Sequence, residues 1–265
     1  MSAKPSEASP LERLRSKAGA TLIRNLLKSV LIGLKAHPKT WGLHRGVEVI
    51  RNVPYVEGGG RDQQLDIYRP KDAKGPLPVL MYVHGGGFTI LSKDTHWMVG
   101  PLLARQGFVV LSINYRLAPE HRFPAAIEDA CTAAAWVHDH AAEYGGDINQ
   151  IFLAGESAGA NLITGICIAN SFERPEPWAK AVFERNLKIR AALPAAGILQ
   201  VTEGDRFKKR RPDISTLVAD RIEGITCGYL GEKPGDTTMA DPLLLLESEA
   251  VPVRPLPPMM SGVGT

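Results

Sequence analysis

At 265 residues the chain is long enough for one large α/β domain with a full core, and 44% hydrophobic against 22% charged residues is the balance of an ordinary globular protein. The net charge is only +3, yet residues 1–51 hold ten Lys and Arg against three acids, which leaves −4 for the remainder. Such a basic segment is read as a solvated face in preference to a nucleic-acid or anionic-membrane contact. Three scattered cysteines (Cys131, Cys167, Cys227) without C-x-x-C spacing argue against a disulfide framework and for a reducing compartment. No charged-then-apolar leader with a small-residue cleavage site is visible, and the apolar stretch 26–34, broken by Lys28, is far short of a membrane span. A cytoplasmic protein is expected.

Along the chain, Ser9-Pro10-Leu11-Glu12 is a capping box with proline at the first helical position. Apolar residues from Leu11 to Leu34 recur at helical spacing, and His37-Pro38 ends the run. This amphipathic helix is expected to pack on the body of the protein, with membrane-surface contact as the less favoured alternative. Strands are predicted over 47–56 and 63–68 around the turn Gly58-Gly59-Gly60, then over 77–83, 108–114 and 151–154. The last three are short, almost wholly apolar runs that suit strands buried on both faces of a parallel sheet. Helices are predicted near 95–106, over 124–144 and from Ala158 to Ala169. Two strands followed by repeated strand–helix units predict an α/β fold with a doubly wound, mostly parallel sheet. Residues 171–188 and 204–235, rich in charge, proline and glycine, interrupt that rhythm and look like an insertion over the carboxyl ends of the strands. Lys208-Lys209-Arg210-Arg211 within it is read as a charged loop. The run 255–263 reads as a further strand.

Two motifs carry chemistry. Gly155-Glu156-Ser157-Ala158-Gly159 follows an apolar strand and precedes a helix, the context of a nucleophile elbow. Ser157 is the candidate nucleophile; Gly155 and Gly159 leave room where strand and helix cross. His84-Gly85-Gly86-Gly87-Phe88 follows another apolar strand. Its glycines let backbone approach a substrate without a Cβ. The amides of Gly86, Gly87 and Ala158 are therefore candidate oxyanion donors for an ester carbonyl attacked by serine. The pair His138-Asp139-His140 is read as solvated, since residues two apart do not share a helix face, and no metal site is expected.

With these residues in view, the chain resembles the hormone-sensitive-lipase branch of the α/β-hydrolases. The resemblance rests on His84–Phe88, on Tyr115-Arg116-Leu117-Ala118-Pro119-Glu120, on Phe123-Pro124-Ala125-Ala126, on Gly145-Gly146-Asp147 and on Gly155–Gly159. It implies an α/β-hydrolase core over residues 47–265, an amino-terminal helical cap segment over 1–46, and a cap insertion at about 204–235. It also implies Ser157 as nucleophile, Gly86, Gly87 and Ala158 as oxyanion donors, and a small uncharged acyl ester as substrate. No nucleotide, metal or flavin is needed, and nucleic acid is not an expected partner. His84, Tyr115, Glu120 and Asp147 are expected to brace loops and cap turns.

The pattern departs from the family at its carboxyl end. The triad order of this fold is serine, then acid, then histidine, yet all seven histidines (His37, His44, His84, His96, His121, His138, His140) precede Ser157. Pro257-Pro258 opens a run like the family's acid-bearing strand, which stops at Gly264-Thr265 just short of the acid. Asp241-Pro242-Leu243 resembles the acid's usual setting but lies upstream of that strand. The expectation is therefore an esterase whose last strand, helix, acid and histidine lie beyond residue 265, in roughly 50 further residues of the same chain or on a carboxy-terminal fragment that completes the fold. The alternatives are amide or formamide hydrolysis by the same serine, and a non-catalytic small-molecule-binding protein on a hydrolase scaffold, as in the gibberellin receptors that resemble this family.

Overall fold

The computed structural model describes residues 37–204, 206–231 and 235–261, together with Ser29 and Gly33. Apart from those two positions the helix expected over 9–34 lies outside the described residues, as do 262–265. Six strands form one sheet: β1 (Val47–Pro54), β2 (Gln64–Pro70), β3 (Leu77–Val83), β4 (Val109–Ile113), β5 (Gly146–Glu156) and β6 (Ile189–Ala195). Their spatial order is β1-β2-β4-β3-β5-β6. β1 and β2 pair antiparallel, and β2 meets β4 antiparallel. β4, β3, β5 and β6 are mutually parallel. The strands expected at 77–83 and 108–114 match β3 and β4 closely. β5 is longer than expected because Gly146 and Asp147 already pair with Leu77 and Pro78, ahead of an irregularity that precedes Ile151.

The helices are α1 (Val99–Ala104), α2 (Ala125–His140), α3 (Ala158–Ser171), α4 (Pro177–Arg185), α5 (Arg206–Arg210), α6 (Thr216–Leu230) and α7 (Pro242–Leu246). On one face of the sheet α2 and α3 cover Val79, Met81, Val83, Leu111, Ile113 and Leu153, and α4 packs on those two helices. The opposite face carries Tyr68, Leu80, Tyr82 and Val110 against α1. β3 is buried on both faces, which is why its sequence shows no polar alternation. α1 covers β2 and β4, whereas Phe152 and Ala154 of β5 are half-buried and Leu193 of β6 is 48% exposed.

Two expectations change. Residues 171–188 are not an insertion over the strand ends, because α4 packs on α2 and α3 with Ala179 and Val182 fully buried. Its charges, Lys180, Glu184 and Arg185, point outward, so the segment reads as loop-like although it belongs to the helical layer. The helix expected over 95–106 shortens to α1, preceded by turns at 93–98. The strand-like run 255–263 contributes one described bridge, Met259 parallel to Ala192, with hydrogen bonds from the Ala192 amide to Pro258 O and from the Met260 amide to Ala192 O. This places the run beside β6, while the expected approach of Thr265 to Ser157 lies outside the described residues. Among the described residues no helix is long and apolar enough to cross a membrane.

Candidate active site

β3 and β5 run parallel, with Val83 opposite Gly155, so the segments that follow them leave the sheet side by side. Those segments are the glycine loop and the Ser157 turn. A Cβ on Gly85 would lie 2.8 Å from Glu156 O and 3.4 Å from Ser157 Cβ. A Cβ on Gly159 would come within 2.1 Å of Val83 O, and one on Gly155 within 2.5 Å of Gly159 O. Both distances are incompatible with any side chain, so the two motifs are fitted to each other through backbone.

Ser157 has φ +55° and ψ −111°, a conformation that costs a non-glycine residue about 1–3 kcal/mol and persists only where its surroundings enforce it. Here its amide donates to Ala195 O of β6 at 2.9 Å, and its carbonyl accepts from Asn161 N and Ile198 N. It stands at the N-cap of α3, but its hydroxyl caps nothing. The hydroxyl is left for another partner, and the first amides of α3, Ala158 among them, have no intrahelical acceptor. In the glycine loop Gly86 (φ +123°), Gly87 (+59°) and Phe88 (+59°) are all left-handed. Gly86 O takes up the amides of Thr89 and Ile90, while the Gly86 and Gly87 amides donate to no acceptor among the described residues. Three unused backbone donors thus belong to two adjoining segments, at the positively polarised end of a helix.

His84 is fully buried. Its Nδ1 donates to Gly85 O at 2.7 Å, its ring stacks on Tyr115 at 4.4 Å, and the Tyr115 hydroxyl donates to His84 O. Burial pushes its pKa down to about 3, so it is a poor acceptor for a serine proton. It braces the loop. His96 lies beyond it, with Nε2 3.8 Å from the Glu156 carboxylate; this neighbour holds Glu156 below the usual carboxylate range. No imidazole lies within hydrogen-bonding distance of the Ser157 hydroxyl among the described residues. Asp147 accepts from the Asn149 amide, a turn cap, and Glu120 is exposed. Asp241 is buried and accepts from the Val201 and Thr202 amides and the Thr202 hydroxyl, so its carboxylate is engaged in fixing the loop after β6.

The neutral state of His84 has a consequence for stability. In the unfolded chain it titrates near 6.5, and in the folded one near 3, so between those values the unfolded state binds the extra proton and acid destabilises the fold. Urea denaturation at pH 7 and pH 4.5 is expected to show wild type losing about 2 kcal/mol more than His84→Asn over that interval. Equal losses would mean that His84 is not buried as the neutral imidazole.

Sequence reading did not reveal several neighbours of the loop. Tyr229 of α6 stacks face to face on Phe88, with ring centroids 3.8 Å apart, and meets Phe123 edge-on. Asn161 of α3 donates to Ile198 O and Ala240 O. A buried cluster follows the loop, in which Lys93 Nζ donates to Asp66 Oδ1 at 2.7 Å and Asn52 Oδ1 at 2.8 Å. None of these pairings has a local signature, since each joins residues distant in the chain. The cysteines carry no site: Cys131 and Cys167 are buried thiols pushed above their ordinary range by burial. Among the described residues no group of three His, Cys, Asp or Glu side chains is placed to hold a metal ion.

Comparison with known proteins bears on this geometry. Carboxylesterase NlhH of Mycobacterium tuberculosis is 44% identical over 113 residues, which is 42% of this chain and 35% of that protein. Esterase LipQ of the same organism is 31% identical over 226 residues, 83% of this chain and 51% of that protein. The chain thus spans about half the length, or less, of these curated relatives. The solved structure of a hyperthermophilic esterase from the archaeon Pyrobaculum calidifontis superposes with a TM-score of 0.67 at 30% identity, covering 97% of this chain and 79% of that one. The family model described as alpha/beta hydrolase fold matches residues 80–265, both motifs included. The chain belongs to the α/β-hydrolase family.

Proposed function

We propose that the protein is a carboxylic ester hydrolase that works through an acyl-enzyme on Ser157. The observation that carries this reading is the junction of the two motifs: a strained serine whose hydroxyl has no structural duty, at a helix amino terminus, against a loop whose Gly86 and Gly87 amides are unused. The serine oxygen attacks the ester carbonyl and its proton passes to a base. The oxygen of the tetrahedral intermediate takes hydrogen bonds from Gly86, Gly87 and Ala158, each such donor lowering the barrier by about 3 kcal/mol. Collapse releases the alcohol, which regains the proton, and water then cleaves the acyl-serine by the same route. Small uncharged acyl esters are the substrate class favoured by the family resemblance, in accord with relatives named carboxylesterase and esterase. A cytoplasmic setting is read from the scattered spacing of the three cysteines.

The triad acid and histidine are assigned to residues that follow 265 in the full-length protein, or to a carboxy-terminal fragment that completes the fold. This is supported by the low basicity of His84, by the engaged carboxylate of Asp241, and by the start of parallel pairing at Met259 beside β6. The half-covered face of β5 and β6 is the surface such residues would pack on. Residues 204–235 are read as the cap, since the carboxyl-terminal turn of α6 rests on Phe88, Thr89 and Phe123 beside the loop. Segment 1–46 is assigned to the same cap. A fluorophosphonate probe is expected to label Ser157 in the full-length protein and to leave the 1–265 piece essentially unlabelled. Strong labelling of the piece would show that the base is already within it, and no labelling of either would remove Ser157 as nucleophile.

A further inference from the structure

The glycine loop is closed partly by its own hydrogen bonds, from the Thr89 and Ile90 amides to Gly86 O, but Phe88 and Leu91 hold positive φ that a side-chain-bearing residue keeps only where its surroundings enforce it. Gly86, Gly87, Phe88 and Leu91 all have positive φ, and among the described residues the one backbone hydrogen bond to the centre of the loop from outside it is that of the Ala118 amide, which donates to Phe88 O at 2.8 Å. Phe88 is the first residue after the three glycines, so its ring is the handle through which the surroundings fix the amide planes before it. That ring is fully buried, and the Tyr229 ring lies against it at 3.8 Å with 6° between the planes. Tyr229 is in turn fixed to the body of the protein: its carbonyl accepts from the Phe123 amide at 2.8 Å and its ring meets Phe123 edge-on. One residue earlier, a Cβ on Gly228 would lie 3.5 Å from Thr89 Cγ2, so the last turn of α6 sits directly on the loop.

We propose that Tyr229 is a positioning residue for the oxyanion loop, its ring holding Phe88 so that the Gly86 and Gly87 amides stay aimed at one point. The proposal rests on the reading of those amides as oxyanion donors. It also specifies which part of Tyr229 matters. The hydroxyl is buried and has no hydrogen-bond partner among the described residues, so the aromatic face is the working element and a phenylalanine serves equally well. A residue that merely fills space under a cap would affect substrate binding and stability; one that aims the donors acts on the transition state.

The test uses the full-length enzyme carrying Tyr229→Phe, Tyr229→Leu or Ser157→Ala. The readouts are kcat and KM for p-nitrophenyl acetate and the inhibition constant of an aryl trifluoromethyl ketone, whose hemiketal oxygen occupies the oxyanion position. Tyr229→Leu is expected to lower kcat by about tenfold or more and to weaken the ketone in step, with KM changed by less than about threefold. Tyr229→Phe is expected to keep all three within about twofold and to melt no lower than wild type. Should Tyr229→Leu fail to fold, Tyr229→Met, which fills the space without a flat ring, carries the same expectation. The proposal is overturned if the leucine and methionine variants keep kcat, if the phenylalanine variant falls with them, or if only KM moves. Turnover that survives Ser157→Ala would remove the oxyanion reading and this proposal with it. Loss of turnover in Ser157→Ala beside a neutral Tyr229→Leu removes the role of Tyr229 alone.

Discussion

On the proposed mechanism, Ser157→Ala in a protein that carries the proposed acid and histidine is expected to lower kcat for a short-chain ester by about 10,000-fold or more while leaving the melting temperature within about 2 °C of wild type. The separation of the two effects is the informative part. A serine at a helix N-cap ordinarily accepts from the amides of the first turn, and its removal then costs about 1 kcal/mol. Ser157 makes no such bond, and alanine tolerates φ +55° no worse than serine, so the fold has nothing to lose. On the proposed mechanism the nucleophile, by contrast, has no substitute: the amides of Gly86, Gly87 and Ala158 would still polarise the carbonyl, but no covalent step would remain. Steady-state kinetics on protein purified free of host esterases, with thermal denaturation alongside, checks both halves. Activity within about tenfold of wild type would mean that another group attacks the ester.

Asp66→Ala is expected to lower stability by about 3–5 kcal/mol. Asp66 is fully buried and accepts from Lys93 Nζ, the Asn52 amide, the Tyr68 hydroxyl and Arg51. Lys93 is equally buried, and without Asp66 its ammonium keeps, among the described residues, Asn52 and the partly exposed Asp94. An ammonium left in that position loses most of its counter-charge and cannot reach water. The double variant Asp66→Asn with Lys93→Met keeps an acceptor for the Asn52 amide and removes the orphaned charge, so it is expected to recover most of the loss. Urea midpoints at constant m-value measure both, and a double variant as unstable as Asp66→Ala would show that packing rather than charge dominates. The cluster also matters to the site. The Lys93 amide donates to Asn114 at the end of β4, and so pins the segment that follows the glycine loop to the sheet.

The parts legible in the sequence are those in which neighbours along the chain are also neighbours in space. In the turn Gly155–Gly159 the demand on Gly155 is local, from Gly159 O, while the demand on Gly159 comes from Val83 O at the end of β3; the five-residue pattern announces the turn although only part of its reason lies within it. β3 announces itself because seven successive positions are buried or nearly so, and only an apolar run satisfies that. The alternation of strand and helix then restricts the sheet to a parallel, doubly wound arrangement, and the strand order within it brings the glycine loop beside Ser157. What the tertiary structure alone decided are contacts whose partners are far apart in the chain and individually unremarkable. α4 shows only Ala179 and Val182 as a buried stripe, too little to outweigh its outward charges, and its place in the helical layer depends on α2 and α3. Lys93 reads as a surface lysine until Asp66 and Asn52 of the antiparallel edge are folded over it. Tyr229 reads as one more helical aromatic until α6 lies down on Phe88. A motif encodes the groups that react, because their geometry is local, whereas the groups that hold them still are chosen by packing, which no stretch of a few residues contains.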